Sequence, residues 1–351
     1  MSRHRDSASS SRLAIVPSMA CAHSRVRRLL VGLVGAGLAV LLLSGAARAA
    51  ASAGRIFGRH AGVALTQDQV AFAHRDASAG PRPPRVRPVP RIIHQVFHNW
   101  DAPGNETLPA DWAALRQSCL ALHSTWEHKL WTEDASRRFI QTEYPWFLDT
   151  YDGFRFPVQR IDTLRYFLLR HFGGIYMDLD NGCRANLEPL LHYPAWVTDG
   201  GHGTLSNNIM GAEPEHPFWI LVTDSLVSWA GDFGLPYLTI SYATGQWFET
   251  EMWQIYHAQK PRRSPDLVRV MMDARPTGAP WVFFTAGRGG TWDNWDNRVL
   301  GWVGNHLLGA SLYGFAGLGA VAAVAYAVGQ ALRRRRWSGR GCPYSGRAGC
   351  C

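Results

Sequence analysis

Lysine is almost missing from this chain: of 36 basic residues only Lys129 and Lys260 are lysine, and the rest are arginine. So one-sided a choice follows genome composition and carries no functional weight. Also missing is a basic patch on a folded segment, despite a net charge of +9. Arg25, Arg27 and Arg28, then Arg82, Arg85 and Arg87, and finally Arg333 to Arg336 crowd towards the chain ends. A nucleic-acid-binding domain carries such a patch on its own surface, so no nucleic acid is expected as a partner. No internal repeat is visible. Cysteine is scarce: of six, only Cys119 and Cys183 fall between residues 91 and 306. A disulfide there is permitted in an oxidising compartment, but the sequence does not establish one. For Cys342, Cys350 and Cys351 in the tail, lipidation and an unmodified tail both stay open.

Charge is absent from Leu29 to Ala47, a run long enough to span a bilayer, with three arginines before it and Arg48 after it. It reads as a signal anchor. A cleaved signal peptide is the rival, because small residues around Ala46 to Ala51 resemble a cleavage site. A second run, Leu307 to Leu332, is rich in Gly and Ala and is stopped by four arginines, which argues against a buried core helix. By the positive-inside rule both termini are cytosolic and everything between the spans is lumenal. Asn105-Glu106-Thr107, a glycosylation acceptor usable only on that side, agrees.

The expected layout is therefore a cytosolic tail (1–28), an anchor (29–47), a Pro/Arg/Ala-rich extended stem (48–90), a lumenal catalytic domain (91–306), a second span (307–332) and a cytosolic tail (333–351). With 46% apolar residues the chain can bury at least one full core. From Arg91 onward, strands and helices alternate: strand Ile92–Phe97, helix Pro109–Leu122, strand His128–Trp131, helix Glu133–Glu143, helix Val158–Phe172 and strand Ile175–Leu179. This alternation predicts an α/β fold with a mostly parallel sheet. Further on, Trp219–Trp229 and Gly245–Ala258 read as helices and Trp281–Phe284 as a strand.

Asp178 and Asp180 carry the chemistry. Two residues apart on one strand, they project to the same side where the strand leaves the sheet, the edge at which open α/β sheets bind ligands. Adjacent carboxylates repel unless a cation lies between them, and a hard divalent ion whose coordination is completed by a diphosphate answers that need. On the preceding helix Asp162, Arg165 and Tyr166 share one face, while Ile161, Leu164 and Leu168 share another that can bury. Asp162 can accept from sugar hydroxyls and Arg165 can donate to them or to the diphosphate.

Arg91-Ile92-Ile93-His94-Gln95-Val96-Phe97, Tyr144-Pro145-Trp146-Phe147, Gln159-Arg160-Ile161-Asp162-Thr163-Leu164-Arg165-Tyr166 and Gly173-Gly174-Ile175-Tyr176-Met177-Asp178-Leu179-Asp180 resemble, in order, the signatures of glycosyltransferase family 32. Thr150-Tyr151-Asp152-Gly153, Ser206-Asn207-Asn208-Ile209-Met210-Gly211 and His216-Pro217-Phe218 resemble its inositol phosphoceramide mannosyltransferase branch. The resemblance implies a GT-A-like nucleotide-sugar-binding fold, GDP-mannose as donor, Mn²⁺ or Mg²⁺ as cofactor, a sphingolipid acceptor, a Golgi membrane location and transfer with retention.

In that reading the catalytic residues are Asp162, Arg165, Asp178 and Asp180. Asp162 and Arg165 hold the sugar, Tyr176 lines the donor pocket, Asp178 contacts ribose or sugar, and Asp180 binds the metal. Phe97 and Asn208 complete the donor site. The family has Ala where Ile161 stands, and its late Gly-Ser-Ser-Trp-His-like motif here reads Gly289-Gly290-Thr291-Trp292-Asp293. Asp293 becomes a candidate oxygen ligand beside Asp178 and Asp180, with altered metal preference. Two other functions fit the same sequence: an α-1,6-mannosyltransferase-like enzyme extending glycoprotein glycans, and a non-catalytic subunit of a membrane complex. A regulatory membrane subunit is a further expected partner.

Overall fold

In a computed structural model of the chain, residues 19–78, 86–200, 203–259, 266–272, 281–289 and 294–338 are described. Nine strands occur among them: β1 (Val63–Thr66), β2 (Ile92–Val96), β3 (Glu127–Trp131), β4 (Gly174–Met177), β5 (Asn181–Cys183), β6 (Ala195–Asp199), β7 (Leu205–Ala212), β8 (Leu267–Met271) and β9 (Phe284–Ala286). The main sheet has seven strands in the order β1-β8-β6-β7-β4-β2-β3. Every neighbouring pair is parallel except the two made by β7, which runs against β6 and β4. The fold is thus α/β with a mostly parallel sheet, as the alternation predicts.

Strands buried on both faces need an apolar layer on each side. One layer is built on the Pro157–Phe172 helix and packs Leu164, Phe167 and Leu168 with Trp219 and Trp253. The other sets Trp196, Val268, Phe283 and Phe284 against Met177. The Pro157–Phe172 helix ends in a tight reversal with φ of 63° at Gly173 and 89° at Gly174, a region costly for other residues. There is no room for a side chain either, since a Cβ at Gly174 would fall 2.7 Å from the Ile92 carbonyl oxygen. His94 fastens this turn: Nε2 lies 3.0 Å from the Gly173 carbonyl, and Nδ1 accepts from Trp131 Nε1 at 3.2 Å. Complete burial, with Lys129 nearby, pushes its pKa down to about 3, so the ring stays neutral.

Among the described residues two helices are long and apolar enough to cross a membrane, Leu29–Phe57 and Ser311–Arg334, and the most apolar stretch of each is not buried in the protein. Residues 48–78 do not form the extended stem expected over 48–90, and residues 79–85 of that stretch lie outside the described residues. The first helix continues to Phe57, burying Ser52 and Ile56, and Arg55 pairs with Glu251. The next residues supply β1 at the sheet edge and the helix Gln67–Ser78. Arg- and Pro-rich composition dominates that stretch, but Val63-Ala64-Leu65-Thr66 is a sufficient strand once β8 offers a parallel partner.

Candidate active site

β4 stops at Met177, one residue before the acidic triplet. Asp178 N–H donates to the Asn208 carbonyl at 2.9 Å, and Asn181 N–H donates to the Asp178 carbonyl at 3.0 Å, closing a turn. Asp178 and Asp180 therefore do not share a strand face by alternation, which corrects the sequence argument. The turn nevertheless directs both to one cavity of about 620 Å³, which Asp162, Arg165, Phe97 and Asn208 also line.

Arg165 organises this cavity. Its Nη1 donates to the Asn207 carbonyl at 2.7 Å and lies 3.3 Å from Asp178 Oδ1, while Nη2 lies 3.2 Å from Asp162 Oδ1. The guanidinium sits 4.8 Å above the Tyr176 ring. Burial works against its charge, but Asp178, Tyr176 and Asp162 outweigh it and raise the pKa. Asp162 is 4% exposed; its oxygens accept from Asn207 Nδ2 and from the Thr244 hydroxyl, each at 3.2 Å. Burial lifts its pKa to about 6 against the pull of Arg165. Removing either partner would strand a buried charge, a loss of about 3–5 kcal/mol.

Asp180 is half-buried, accepts from Asn181 Nδ2 at 2.6 Å, and has its pKa raised to about 6 by burial and then by Asp178. A cation beside it would relieve both effects. Among the described residues no group of three His, Cys, Asp or Glu could hold a metal by itself. Two carboxylates leave most of a six-oxygen shell to substrate phosphate and water, which suits Mg²⁺ or Mn²⁺ on a nucleotide. The residues present fit such an ion. Asp293 lies outside the described residues.

Tyr176 is placed differently from expectation. It is fully buried and does not line the cavity; its hydroxyl donates to Asp178 Oδ1 at 2.5 Å while its ring supports Arg165. Ile161 packs in part against the core, as expected, and also lines the cavity. Phe97 does line it, edge-on to Trp112 at 6.2 Å, whose Nε1 donates to the Arg288 carbonyl at 3.1 Å. Asn208 accepts from the hydroxyls of Thr198 at 3.1 Å and Ser206 at 2.7 Å. Asn207, Thr244 and Trp112 were not singled out as site residues. Asn207 stood inside the Ser206–Gly211 signature, which could have found it, whereas no local pattern marks Thr244 or Trp112, which arrive from a helix end and a distant helix.

A disulfide joins Cys119 to Cys183. It fastens the Ala110–Leu122 helix, which carries Trp112, to β5 directly behind the acidic turn. Such a bond belongs to an oxidising compartment.

An acidic turn, the buried Asp162–Arg165 pair and an aromatic wall thus surround one cavity, and comparison with known proteins gives this arrangement a context. Residues 109–196 match the family described as glycosyltransferase sugar-binding region containing DXD motif. Inositol phosphoceramide mannosyltransferase 2 of Schizosaccharomyces pombe is 38% identical over 229 residues, covering 65% of each chain. Mannosyl phosphorylinositol ceramide synthase SUR1 of Saccharomyces cerevisiae is 36% identical over 233 residues, covering 66% of this chain and 59% of its own length. The chain thus spans just under two thirds of these relatives. The solved PaToxG glycosyltransferase overlaps with a TM-score of 0.36 at 14% identity, over 56% of this chain and 79% of that one; the strand order, not this overlap, carries the fold assignment.

Proposed function

We propose that the protein is a membrane-held mannosyltransferase that transfers mannose from GDP-mannose to inositol phosphoceramide with retention of configuration. The observation that carries the chemistry is the convergence of Asp178, Asp180, Asp162 and Arg165 on one cavity. The mannosyl group and the lipid acceptor follow the names of the relatives, and the GDP carrier follows the family resemblance of the sequence. Two apolar helices that keep the domain at a bilayer suit a lipid acceptor, and a Golgi lumenal location accords with the disulfide.

Mn²⁺ or Mg²⁺ held by Asp180 and Asp178 would offset charge on the leaving diphosphate. Phe97 and Trp112 offer apolar rings to the base. Arg165, fixed by three oxygens, presents a preorganised cation and spends little reorganisation during reaction. Asp162 accepts from Asn207 and Thr244 and pairs with Arg165, which suits holding hexose hydroxyls rather than attacking carbon. Front-face attack follows as the preferred route, with the departing diphosphate oxygen taking the acceptor proton and the protein supplying position and charge.

The test is a donor and acceptor screen of full-length wild type and Asp180→Ala with Mn²⁺. Mannose transfer to inositol phosphoceramide by wild type alone supports the proposal. Transfer only to glycan acceptors, or with another sugar nucleotide, sinks it, and a trapped glycosyl-enzyme adduct would overturn the front-face route.

A further inference from the structure

Between the catalytic fold and the second apolar helix lies a short helix, Trp295–Asn305. It exposes large apolar side chains in a regular stripe: Trp295 at 63%, Val299 at 51% and Trp302 at 46%. Positions 295, 299 and 302 are spaced i, i+4 and i+7 and share one face, and the exposed Arg298 shares it too. One flank of the stripe is anchored. Asp296 is buried and accepts the Tyr237 backbone N–H at 2.7 Å.

A soluble surface has little reason to present two tryptophans and a valine in register, with an arginine among them. Tryptophan and arginine together suit the boundary between headgroups and acyl chains, where an indole keeps its ring in an apolar layer and its N–H near water. The chain's course supplies the occupant. His306, at φ −132° and ψ 42°, breaks the helix, and the long apolar helix begins at Leu307. A single residue thus separates the helix that carries the stripe from the long apolar helix, whose segment apolar enough to span a bilayer begins one turn further on at Ser311, so the bilayer surface lies close to the stripe.

We infer that the Trp295–Asn305 helix lies in the membrane interface and seats the catalytic domain on the lipid surface through Trp295, Arg298, Val299 and Trp302. Its grip passes inward to the cavity wall. Asp296 holds Tyr237, which opens the helix Pro236–Ala243; Ile240 and Ser241 of that helix line the cavity. Tyr237 meets Trp247 edge-on at 5.6 Å, and Trp247 meets Phe57, the last residue of the first apolar helix, at 5.1 Å. Both membrane-side helices therefore brace the same wall of the site. Burying such a stripe also limits tumbling, which presents the cavity to headgroups at a fixed height. The inference concerns seating alone and stands whichever sugar is transferred.

The test is spin-label accessibility on the full chain in phosphatidylcholine–phosphatidylserine vesicles. A C21S/C342S/C350S/C351S background keeps the disulfide and takes single labels at V299C, W302C, V321C and L122C. Val321 reports the second apolar helix, and Leu122, exposed on the Ala110–Leu122 helix, is the aqueous reference. At 299 and 302, collisions with oxygen should exceed those with a water-soluble nickel chelate, less strongly than at 321, while 122 shows the reverse. A water-like ratio at both 299 and 302 overturns the inference, and so does shielding from both reagents, which would mean that another polypeptide covers the stripe. A water-like ratio at 321 also overturns it, since no bilayer would then adjoin the helix. The label at 302 decides the matter if V299C does not fold.

Discussion

Gly289 lies against Asp180 so closely that a Cβ at position 289 would fall 2.2 Å from Asp180 Oδ2. The carboxylate proposed to hold the cation is thus given room by the absence of a side chain across the cavity. Gly287 adds a second tie by donating its N–H to the Asp180 carbonyl at 2.6 Å. Gly289→Ala should leave the fold intact and push the Asp180 carboxylate aside. The expected outcome is a cation requirement raised about tenfold, equivalent to about 1.4 kcal/mol, with less change in donor KM. Titrating Mn²⁺ against transfer rate checks it; an unchanged half-saturation point would detach Asp180 from the cation.

Glu249 lies fully buried one turn from the cavity, and neither of its carboxyl oxygens has a hydrogen-bond partner among the described residues. Burial pushes its pKa up to about 8; Arg165 opposes the shift and Asp162 adds to it. Between its ordinary value and about pH 8 the folded protein keeps this proton while the unfolded chain releases it, so stability falls as pH rises through that window. Glu249→Gln keeps the shape and removes the titration. Its melting temperature should change less than that of wild type between about pH 5 and pH 8, a stability difference on the order of a few kcal/mol. A shallower slope remains because Asp162 is also raised, to about 6. Parallel melting curves for the two proteins across that range would refute the assignment.

The Cys119–Cys183 bond closes a loop of sequence separation 64 that contains the Pro157–Phe172 helix and the acidic turn. Constraining so long a loop in the unfolded chain stabilises the fold by about 4 kcal/mol in the chain-entropy account. Cys119→Ala with Cys183→Ala should lower the melting temperature by several degrees. It should also weaken donor binding, since Trp112 and the acidic turn would no longer be fastened together. Calorimetry and GDP titration measure the two effects separately.

Which parts of this architecture could be read in advance follows from where each residue's environment is local. The Pro157–Phe172 helix was legible because apolar residues recur there at the helical period, and β2 and β3 as short runs set between helical stretches. The Asp162–Arg165 pairing followed from helical spacing, and its burial under Asn207 and Thr244 did not. β7 was not legible: Asn207 and Asn208, facing the site, break the apolar pattern expected of an interior strand. β6 and β8 were missed because short strands buried on both faces lack alternation. β1 was hidden in a stretch whose composition suggested an extended stem. The strand expected at Trp281–Phe284 forms at Phe284–Ala286, pairing with β5 outside the main sheet. Tyr176 carried the right association and the wrong position, because strand alternation alone could not show Arg165 lying over its ring.

Ile161 marks the clearest departure of this cavity from the resembled family, which has Ala at the position, and the structure places it on the cavity lining between Val158 and Asp162. A branched side chain there removes space that Ala would leave, next to the pair proposed to hold the hexose. It packs only in part against the core, so Ile161→Ala removes little buried surface and should cost about 1–2 kcal/mol of stability, below the range for fully buried sites. The larger effect should fall on selection. A pocket distinguishes ligands differing by small groups by about 1–3 kcal/mol, so the variant should accept bulkier or 2-substituted hexose donors with a relative kcat/KM raised by about tenfold. GDP-mannose should lose mainly in KM, because contact with Ile161 is the same before and during transfer. Competition between GDP-mannose and alternative GDP-sugars, measured in the same vesicles for wild type and variant, decides it. An unchanged preference would show that Ile161 lies away from the hexose, and the donor would then have to be turned so that its base, not its sugar, meets this wall.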